Sequence, residues 1–170
     1  QIHDLVRIWQ AQFSTGFELP ADQVIGRLLR RTRFLPAIQA WSQEHLPPGL
    51  LDKLHASGIQ VTHTPDPGLR VGLTGALAGV AETGTLVLPA GPGRPLTASL
   101  LPEIHLAVLH ARDIYPSLKE FFAGWKERFN PGSSLGSSVV LVSGPSRTAD
   151  IEMTLTVGVH GPGVVHVFCV

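Results

Sequence analysis

Cysteine is nearly absent from this sequence, which has only Cys169 among its 170 residues. A single thiol excludes an internal disulfide. It also excludes an iron–sulfur cluster or a cysteine-based zinc site held by one chain, because such centres need several thiolates. No flavin or nicotinamide fingerprint is present either, so we predict neither a cofactor nor a bound metal. Scarce cysteine is consistent with a reducing compartment, and we expect a cytoplasmic location.

An excess of charge of one sign is also lacking, since Lys and Arg together number 13 and so do Asp and Glu. A nucleic-acid-binding protein needs surplus cations to displace the counterions of the phosphate backbone, so this class is excluded. Long hydrophobic runs are missing too. The two longest charge-free stretches, 129–146 and 153–170, are broken by Gly, Pro, Ser and His, and neither a transmembrane helix nor a signal peptide is expected.

What the sequence does have is apolar content. Hydrophobic residues make up 44% and charged residues 15%, against ~25% charged in an average protein. Such a chain can bury a sizeable core without disulfides or a metal. Together with the length, this predicts one globular domain over residues 1–170.

The first part of this domain, residues 1–69, is predicted to be mainly helical. Apolar residues recur at spacings of three and four from Ile2 to Phe13, which marks one face of a helix. A second helix begins at Pro20. Another short helix begins at Pro47-Pro48 and ends near Gly58, and a strand at Ile59–Thr62 follows it. The segment Phe34–Trp41 is left open, because a proline interrupts a possible strand there.

The second part, residues 70–170, alternates short apolar runs with helical patterns at Leu118–Trp125 and Ile151–Val157. This alternation predicts an α/β fold: a single domain with a mostly parallel or mixed sheet covered by helices. The proline- and glycine-rich turn at 89–93 suggests an antiparallel hairpin over 85–100. The apolar runs are Val71–Leu73, Leu86–Leu88, His105–Leu109, Val139–Val142 and Val164–Val170.

The first candidate site is the loop Ser143–Asp150, which follows a predicted strand and precedes a predicted helix. It carries hydroxyl groups, the flexible Gly144 and the cation Arg147. Free backbone N–H groups at a helix start make such a loop an anion site. The alternative is helix capping by Ser146 or Thr148, with Asp150 and Glu152 complementing the helix dipole. The spacing does not decide between the two.

The second candidate is the glycine-rich segment 74–85, in which Glu82 is the one carboxylate among small residues. In a cleft, Glu82 would serve as a base or as a metal ligand. Equally, Thr83-Gly84-Thr85 is an ordinary turn before the next strand. The segment is not a Walker loop, because no Gly-Lys-Ser/Thr follows.

The eight histidines do not form a metal-binding pattern. His105 and His110 are five residues apart on one predicted strand, so they face opposite sides and do not chelate together. His160 lies in a predicted tight turn at a helix end, where a capping or hydrogen-bonded role is favoured over a ligand. Ser99 has no catalytic partner recognisable in the sequence.

Four segments, in this order, resemble the lactate-utilisation protein C family, which is also called the LUD domain. They are Ala81–Thr85, Ser99–Pro102 with His105, Ser143–Glu152 and Gly158–Pro162. The third is ten contiguous residues and is highly specific. The resemblance covers about residues 70–170, with one departure: Leu77 stands where related sequences often carry an acidic residue.

The resemblance implies a fold similar to the sugar-phosphate isomerase, CoA-transferase and formyltetrahydrofolate cyclo-ligase group. It also implies a place in bacterial oxidation of L-lactate to pyruvate, beside partner proteins of which one carries iron–sulfur clusters. We therefore expect an accessory or substrate-handling subunit. The alternatives are a stand-alone enzyme that acts on a small phosphorylated or carboxylated metabolite and a non-catalytic docking module. Whether the chain itself is an enzyme stays open.

The resemblance further places the candidate site residues in these segments. We predict that the catalytic residues Glu82, His105 and His160 converge on the anion loop. A small anionic metabolite would be bound by the hydroxyl, glycine and charged residues of the four segments. These ligand-binding residues are Thr83, Gly84, Thr85, Ser99, Ser143, Gly144, Ser146, Arg147, Thr148, Asp150 and Glu152.

Overall fold

The computed structural model describes residues 37–125, 138–149, 155–157 and 161–170, with the backbone alone at 147–149 and 155–157. The strands are β1 (Ala37–Ala40), β2 (Gln60–Thr62), β3 (Val71–Gly75), β4 (Ala78–Val80), β5 (Thr85–Ala90), β6 (Ile104–Leu109), β7 (Ile114–Tyr115), β8 (Ser138–Val142), β9 (Arg147–Ala149), β10 (Leu155–Val157) and β11 (Val164–Cys169). The helices are α1 (Leu50–Ala56), α2 (Thr97–Leu100) and α3 (Leu118–Ala123), with 3₁₀ turns at Gln43–His45 and Ala111–Asp113.

Five strands form a parallel sheet in the order β11-β6-β3-β1-β2. Every residue of β3 and β6 is buried, as expected for strands covered on both faces. The segment Phe34–Trp41 contributes β1, which begins at Ala37. The α/β class with a mostly parallel sheet is confirmed. The helices predicted between Ile2 and Phe13 and from Pro20 lie outside the described residues.

A second, mixed sheet has the order β7-β4-β5-β8, in which β5 is antiparallel to both β4 and β8. The hairpin predicted over 85–100 is therefore wrong. A single bridge joins Gly91 to Arg94, and the chain then enters α2. A returning strand is disfavoured there because Pro92 and Pro95 have no N–H for a ladder.

The helix predicted over Ile151–Val157 is also wrong. Leu155–Val157 is strand β10, which pairs antiparallel with β9 through Leu155↔Ala149 and Val157↔Arg147. The apolar spacing fits one helical face, but Thr and Val favour a strand when a partner strand is available. The loop after β8 therefore leads into a strand, and the helix N-terminus invoked for anion binding is replaced by β9.

The core has two layers that meet at β5. Leu86 and Leu88 pack into the large cluster that includes Leu73 and Leu106 of the parallel sheet. On the opposite face of β5, Val87 packs with Phe121 of α3. The short helix predicted after Pro47-Pro48 is confirmed as α1, which begins after Gly49 and buries three leucines. Of the helices in the described residues, none has the length and apolar character that a membrane crossing requires.

Candidate functional site

The site is built around a chain of three hydroxyl groups. Thr83 lies in the turn between β4 and β5, Thr85 begins β5, and Ser143 directly follows β8. The register Leu86↔Val142 places Thr85 and Ser143 opposite each other, although they are 58 residues apart in sequence. Thr85 Oγ1 lies 2.6 Å from Thr83 Oγ1 and 2.7 Å from Ser143 Oγ. These distances are those of strong hydroxyl–hydroxyl hydrogen bonds.

The middle of this hydroxyl chain is buried and its ends are open. Thr85 is 2% exposed, whereas Thr83 and Ser143 are exposed to solvent. The turn between the two threonines depends on Gly84, whose φ of 61° lies in the left-handed region that favours glycine. The local backbone therefore brings Thr83 and Thr85 together, and the sheet adds Ser143.

A second contact connects the loop after β8 with the segment before β11. The Ser146 N–H donates to the Pro162 carbonyl oxygen over 2.8 Å. A Cβ at Gly161 would lie 3.3 Å from Ser146 Cβ, so the two backbones approach closely. The structure therefore links the segments 81–85, 143–146 and 161–162, three of the four that carry the family resemblance.

The remaining family segment, Ser99–Pro102 with His105, lies apart from these three. Ser99 belongs to α2 and His105 to the parallel sheet. His105 is fully buried on β6, where its Nε2 lies 2.8 Å from Thr74 Oγ1 on β3. Burial lowers the pKa of the imidazole from 6.5 to about 4, so the ring is neutral near neutral pH. Its Nδ1 makes no hydrogen bond with the described residues. Ser99 is also buried, and its hydroxyl donates to the Leu96 carbonyl oxygen within the first turn of α2.

The remaining predicted site residues are placed as follows. Glu82 is exposed in the turn of the mixed sheet, and its N–H donates to the Pro116 carbonyl oxygen. No hydrogen bond or ion pair joins Glu82 to His105 in the part of the chain that the structure describes. Gly144 lies in the loop after β8, and the backbones of Arg147 and Thr148 belong to β9. Asp150, Glu152 and His160 lie outside the described residues.

Sequence reasoning missed the buried polar row that accompanies His105. The register Gln39↔Gly72↔His105 puts these residues of β1, β3 and β6 on one face of the sheet. Gln39 Nε2 donates to Thr97 Oγ1 of α2 over 2.7 Å, and Thr74 holds His105 as described. No local signal marks these residues, because each partner lies on a different element.

The described part of the site is lined by the hydroxyl chain and by the exposed Glu82 beside Thr83. Among the described residues, no group of three or more His, Cys, Asp and Glu is arranged to hold a metal ion. Leu77 packs against the cluster that includes Phe121. The arrangement can donate a hydrogen bond from a hydroxyl group to a small ligand.

Fold and site together define an α/β domain in which a parallel sheet supports a mixed sheet with a hydroxyl-lined loop cluster. The family model described as LUD domain matches residues 68–170. This match covers more than half of the chain, so the chain belongs to the LUD domain family.

Relatives share sequence over the same part of the chain. A protein of Geobacillus named Lactate utilization protein C is 40% identical over 92 residues, which is 54% of this chain and 38% of the relative. An uncharacterized protein of Neisseria meningitidis is 41% identical over 91 residues, again 54% of this chain and 38% of the relative. The matched segment thus spans about two fifths of the length of these relatives.

The fold has a relative among solved structures. The crystal structure of a DUF162 family protein from Deinococcus radiodurans superposes with a TM-score of 0.65 at 14% sequence identity. The match covers 99% of this chain and 98% of that chain. At this identity the likeness concerns the fold, and it agrees with the α/β architecture described above.

Proposed function

We propose that this chain acts in lactate utilisation as an accessory or substrate-handling subunit, and that its loop cluster binds a small carboxylate. Membership in the LUD domain family and relatives named Lactate utilization protein C support the pathway. The single observation that supports the binding site is the hydroxyl chain from Thr83 to Ser143. It joins two of the family segments at an exposed edge.

The chemistry of the loop cluster suits a carboxylate. Ser143 presents an exposed hydroxyl, and the loop that follows it leads into Arg147 after only a few residues. Hydrogen bonds from neutral donors and a guanidinium are the interactions that recognise carboxylate oxygens. We assign Arg147 the role of the cation, because the helix N-terminus that could have supplied positive potential is replaced by a strand.

The binding site is tested by replacing Arg147 with alanine. A hydrogen bond to a charged group contributes about 1.5–3 kcal/mol, so Arg147→Ala should weaken binding of pyruvate or L-lactate about tenfold or more. Isothermal titration calorimetry on the full chain measures this. Arg112→Ala, at an exposed position in a 3₁₀ turn, is the matched control and should leave the affinity unchanged. Equal affinities for both variants and the wild type would contradict the proposed site.

Catalytic roles are proposed for Glu82, His105 and His160. Because His105 is fully buried on β6, its role is exerted through Thr74 rather than by contact with the metabolite. Glu82 is exposed beside Thr83, where its carboxylate is accessible to a ligand. Replacing Glu82 with glutamine should abolish partner-dependent lactate oxidation while the melting temperature stays close to that of the wild type. Full activity in Glu82→Gln would remove this carboxylate from the mechanism and favour a docking role.

The partners are proposed as well. The resemblance to a lactate-oxidising system supports a partner subunit that carries the iron–sulfur clusters, since the one thiol of this sequence does not suffice to hold one. Affinity purification of the tagged chain from a producing cell should bring down a protein with cluster absorbance and stoichiometric iron. Turnover of a small phosphorylated or carboxylated metabolite by the isolated chain would instead favour the stand-alone enzyme.

A further inference from the structure

We propose that the hydroxyl chain of Thr83, Thr85 and Ser143 can donate only one hydrogen bond to a ligand or to solvent outside it. Thr85 is the positioning residue that directs this bond from Ser143 to the ligand. This inference rests on the proposed carboxylate site and specifies the ligand as a hydrogen-bond acceptor. Thr85 itself is 2% exposed and lies inside the chain of hydroxyls, so it acts through Ser143.

The number of donor hydrogens limits the hydrogen bonds that these hydroxyls can make. Three hydroxyls have three donor hydrogens in total. Two of them are used by the bonds that Thr85 Oγ1 shares with Thr83 and with Ser143. The three hydroxyls make no other hydrogen bond among the described residues. One donor hydrogen is therefore left. It points outward from Ser143, points outward from Thr83, or stays unused on the buried Thr85.

The direction of the chain then decides which ligands fit. When Thr83 donates to Thr85 and Thr85 donates to Ser143, the Ser143 hydroxyl is free to donate to a carboxylate oxygen. When the chain is reversed, Thr83 donates outward and Ser143 presents only its lone pairs. An acceptor at Ser143 thus selects one direction, and an acceptor at Thr83 selects the other. By thermodynamic linkage, two such ligands weaken each other.

Without a ligand, the three hydroxyls interconvert between the two directions of donation, because both Thr83 and Ser143 reach solvent. If the directions are equally populated, only about half of the molecules are competent to bind a carboxylate, and the apparent affinity is about twofold weaker than the intrinsic one. Removing the Thr83 hydroxyl takes away the competing direction. Removing the Thr85 hydroxyl instead leaves Ser143 without its donor, so its orientation is no longer fixed.

The test compares five variants of the full chain by isothermal titration with pyruvate: Thr85→Val, Thr85→Ser, Thr83→Val, Ser143→Ala and Arg147→Ala. Ser143→Ala and Arg147→Ala should each weaken binding. Thr85→Val removes both hydroxyl–hydroxyl bonds. It should weaken binding about threefold to tenfold, since Ser143 loses the hydrogen bond that it accepts and the polarising effect of that bond on its own donation. Thr85→Ser restores the hydroxyl and should bind within about twofold of the wild type. Thr83→Val should bind as tightly as the wild type or up to about twofold more tightly. Backbone amide NMR spectra check that each variant is folded. If Thr85→Val is not folded, the pyruvate affinity of Thr85→Ser is compared with that of Ser143→Ala instead.

The opposite pattern would overturn the inference. If Thr83→Val weakens binding as much as Thr85→Val, the outward hydrogen is not directed to Ser143. Thr85 has no positioning role if Ser143→Ala weakens binding but Thr85→Val does not. The same conclusion follows if Thr85→Ser binds as poorly as Ser143→Ala. In both cases the proposed site stands. If neither Ser143→Ala nor Arg147→Ala affects pyruvate binding, both the proposed site and this inference fail.

Discussion

Replacing Gly72 with alanine should strongly destabilise the protein, although the change adds only one methyl group. A Cβ at this position of β3 would overlap the Ala98 carbonyl oxygen of α2 and lie 2.9 Å from Pro102 Cγ. The backbone carbonyl cannot rotate away as a side chain would, so α2 must move off the sheet. Overpacking typically costs 1–3 kcal/mol and sometimes more, and we expect about 3 kcal/mol or more for this backbone clash. For a chain of this length, that lowers the melting temperature by roughly 6–12 °C.

Gly68 supplies the matched control for this prediction. It lies in an exposed loop, where a Cβ would approach only the flexible Asp66 side chain, at 3.2 Å from Oδ1. Gly68→Ala should therefore shift the melting temperature by no more than about 2 °C. Differential scanning calorimetry of both variants measures the difference. Equal melting temperatures for Gly72→Ala and the wild type would mean that α2 does not pack on β3 in solution.

Acidification should destabilise the protein through His105. The folded-state pKa of this buried imidazole is lowered to about 4, whereas its ordinary value is 6.5. Between these two values the unfolded chain binds a proton that the folded chain does not, so stability rises with pH in this window. The contribution is fully present above the unfolded value and is lost as the pH falls to about 4. One pKa unit corresponds to about 1.4 kcal/mol, so His105 should account for a loss of about 3 kcal/mol between about pH 7 and about pH 4.

Denaturant unfolding as a function of pH checks this contribution. In His105→Gln the free energy of unfolding should depend less on pH across the window, because glutamine does not titrate. His55→Gln, which replaces an exposed histidine of α1, should keep the pH dependence of the wild type. Direct titration of the His105 ring protons by NMR serves if His105→Gln does not fold. A ring that titrates near 6.5 would contradict the burial on which this prediction rests.

Much of the fold follows from local sequence patterns. The apolar runs at Val71–Leu73 and His105–Leu109 predict β3 and β6, and both strands are buried over their whole length. Pro47-Pro48 and Gly58 predict the bounds of α1 to within a few residues. Each of these elements is short, so its pattern is complete within a few consecutive residues. For the strands, burial of both faces leaves a run that is apolar throughout.

The errors occur where pairing over distance overrides a local pattern. The spacing of Ile151 and Leu155 fits a helix, but β9 offers Leu155–Val157 a partner strand. The turn at 89–93 ends β5 as its composition indicates, but the antiparallel partners of β5 are Ala78–Val80 and Ser138–Val142 rather than residues after the turn. Local propensity is a weak preference, and ladder hydrogen bonds with a distant strand exceed it.

In the candidate site, too, local motifs indicate the residues, whereas pairing between distant strands decides their contacts. The sequence indicates Thr83, Thr85 and Ser143 as members of two family segments, and the catalytic roles of Glu82, His105 and His160 stay predictions. The contact between Thr85 and Ser143 could not be read from the sequence, because it depends on the register of β5 and β8 across 58 residues. Arg147 is recognisable in the sequence as a cation, but the strand that carries it is not.

The sequence by itself determined the α/β class, the positions of most strands and the four segments that mark the LUD domain. These depend on composition, on apolar runs and on contiguous motifs, all of which are local. Only the tertiary structure decided that the strands divide into a parallel and a mixed sheet, that α2 requires a glycine at position 72, and that His105 is buried beside Thr74. The physical reason is that each of these features arises from a contact between elements far apart in the chain, and the energy of such a contact depends on both partners at once.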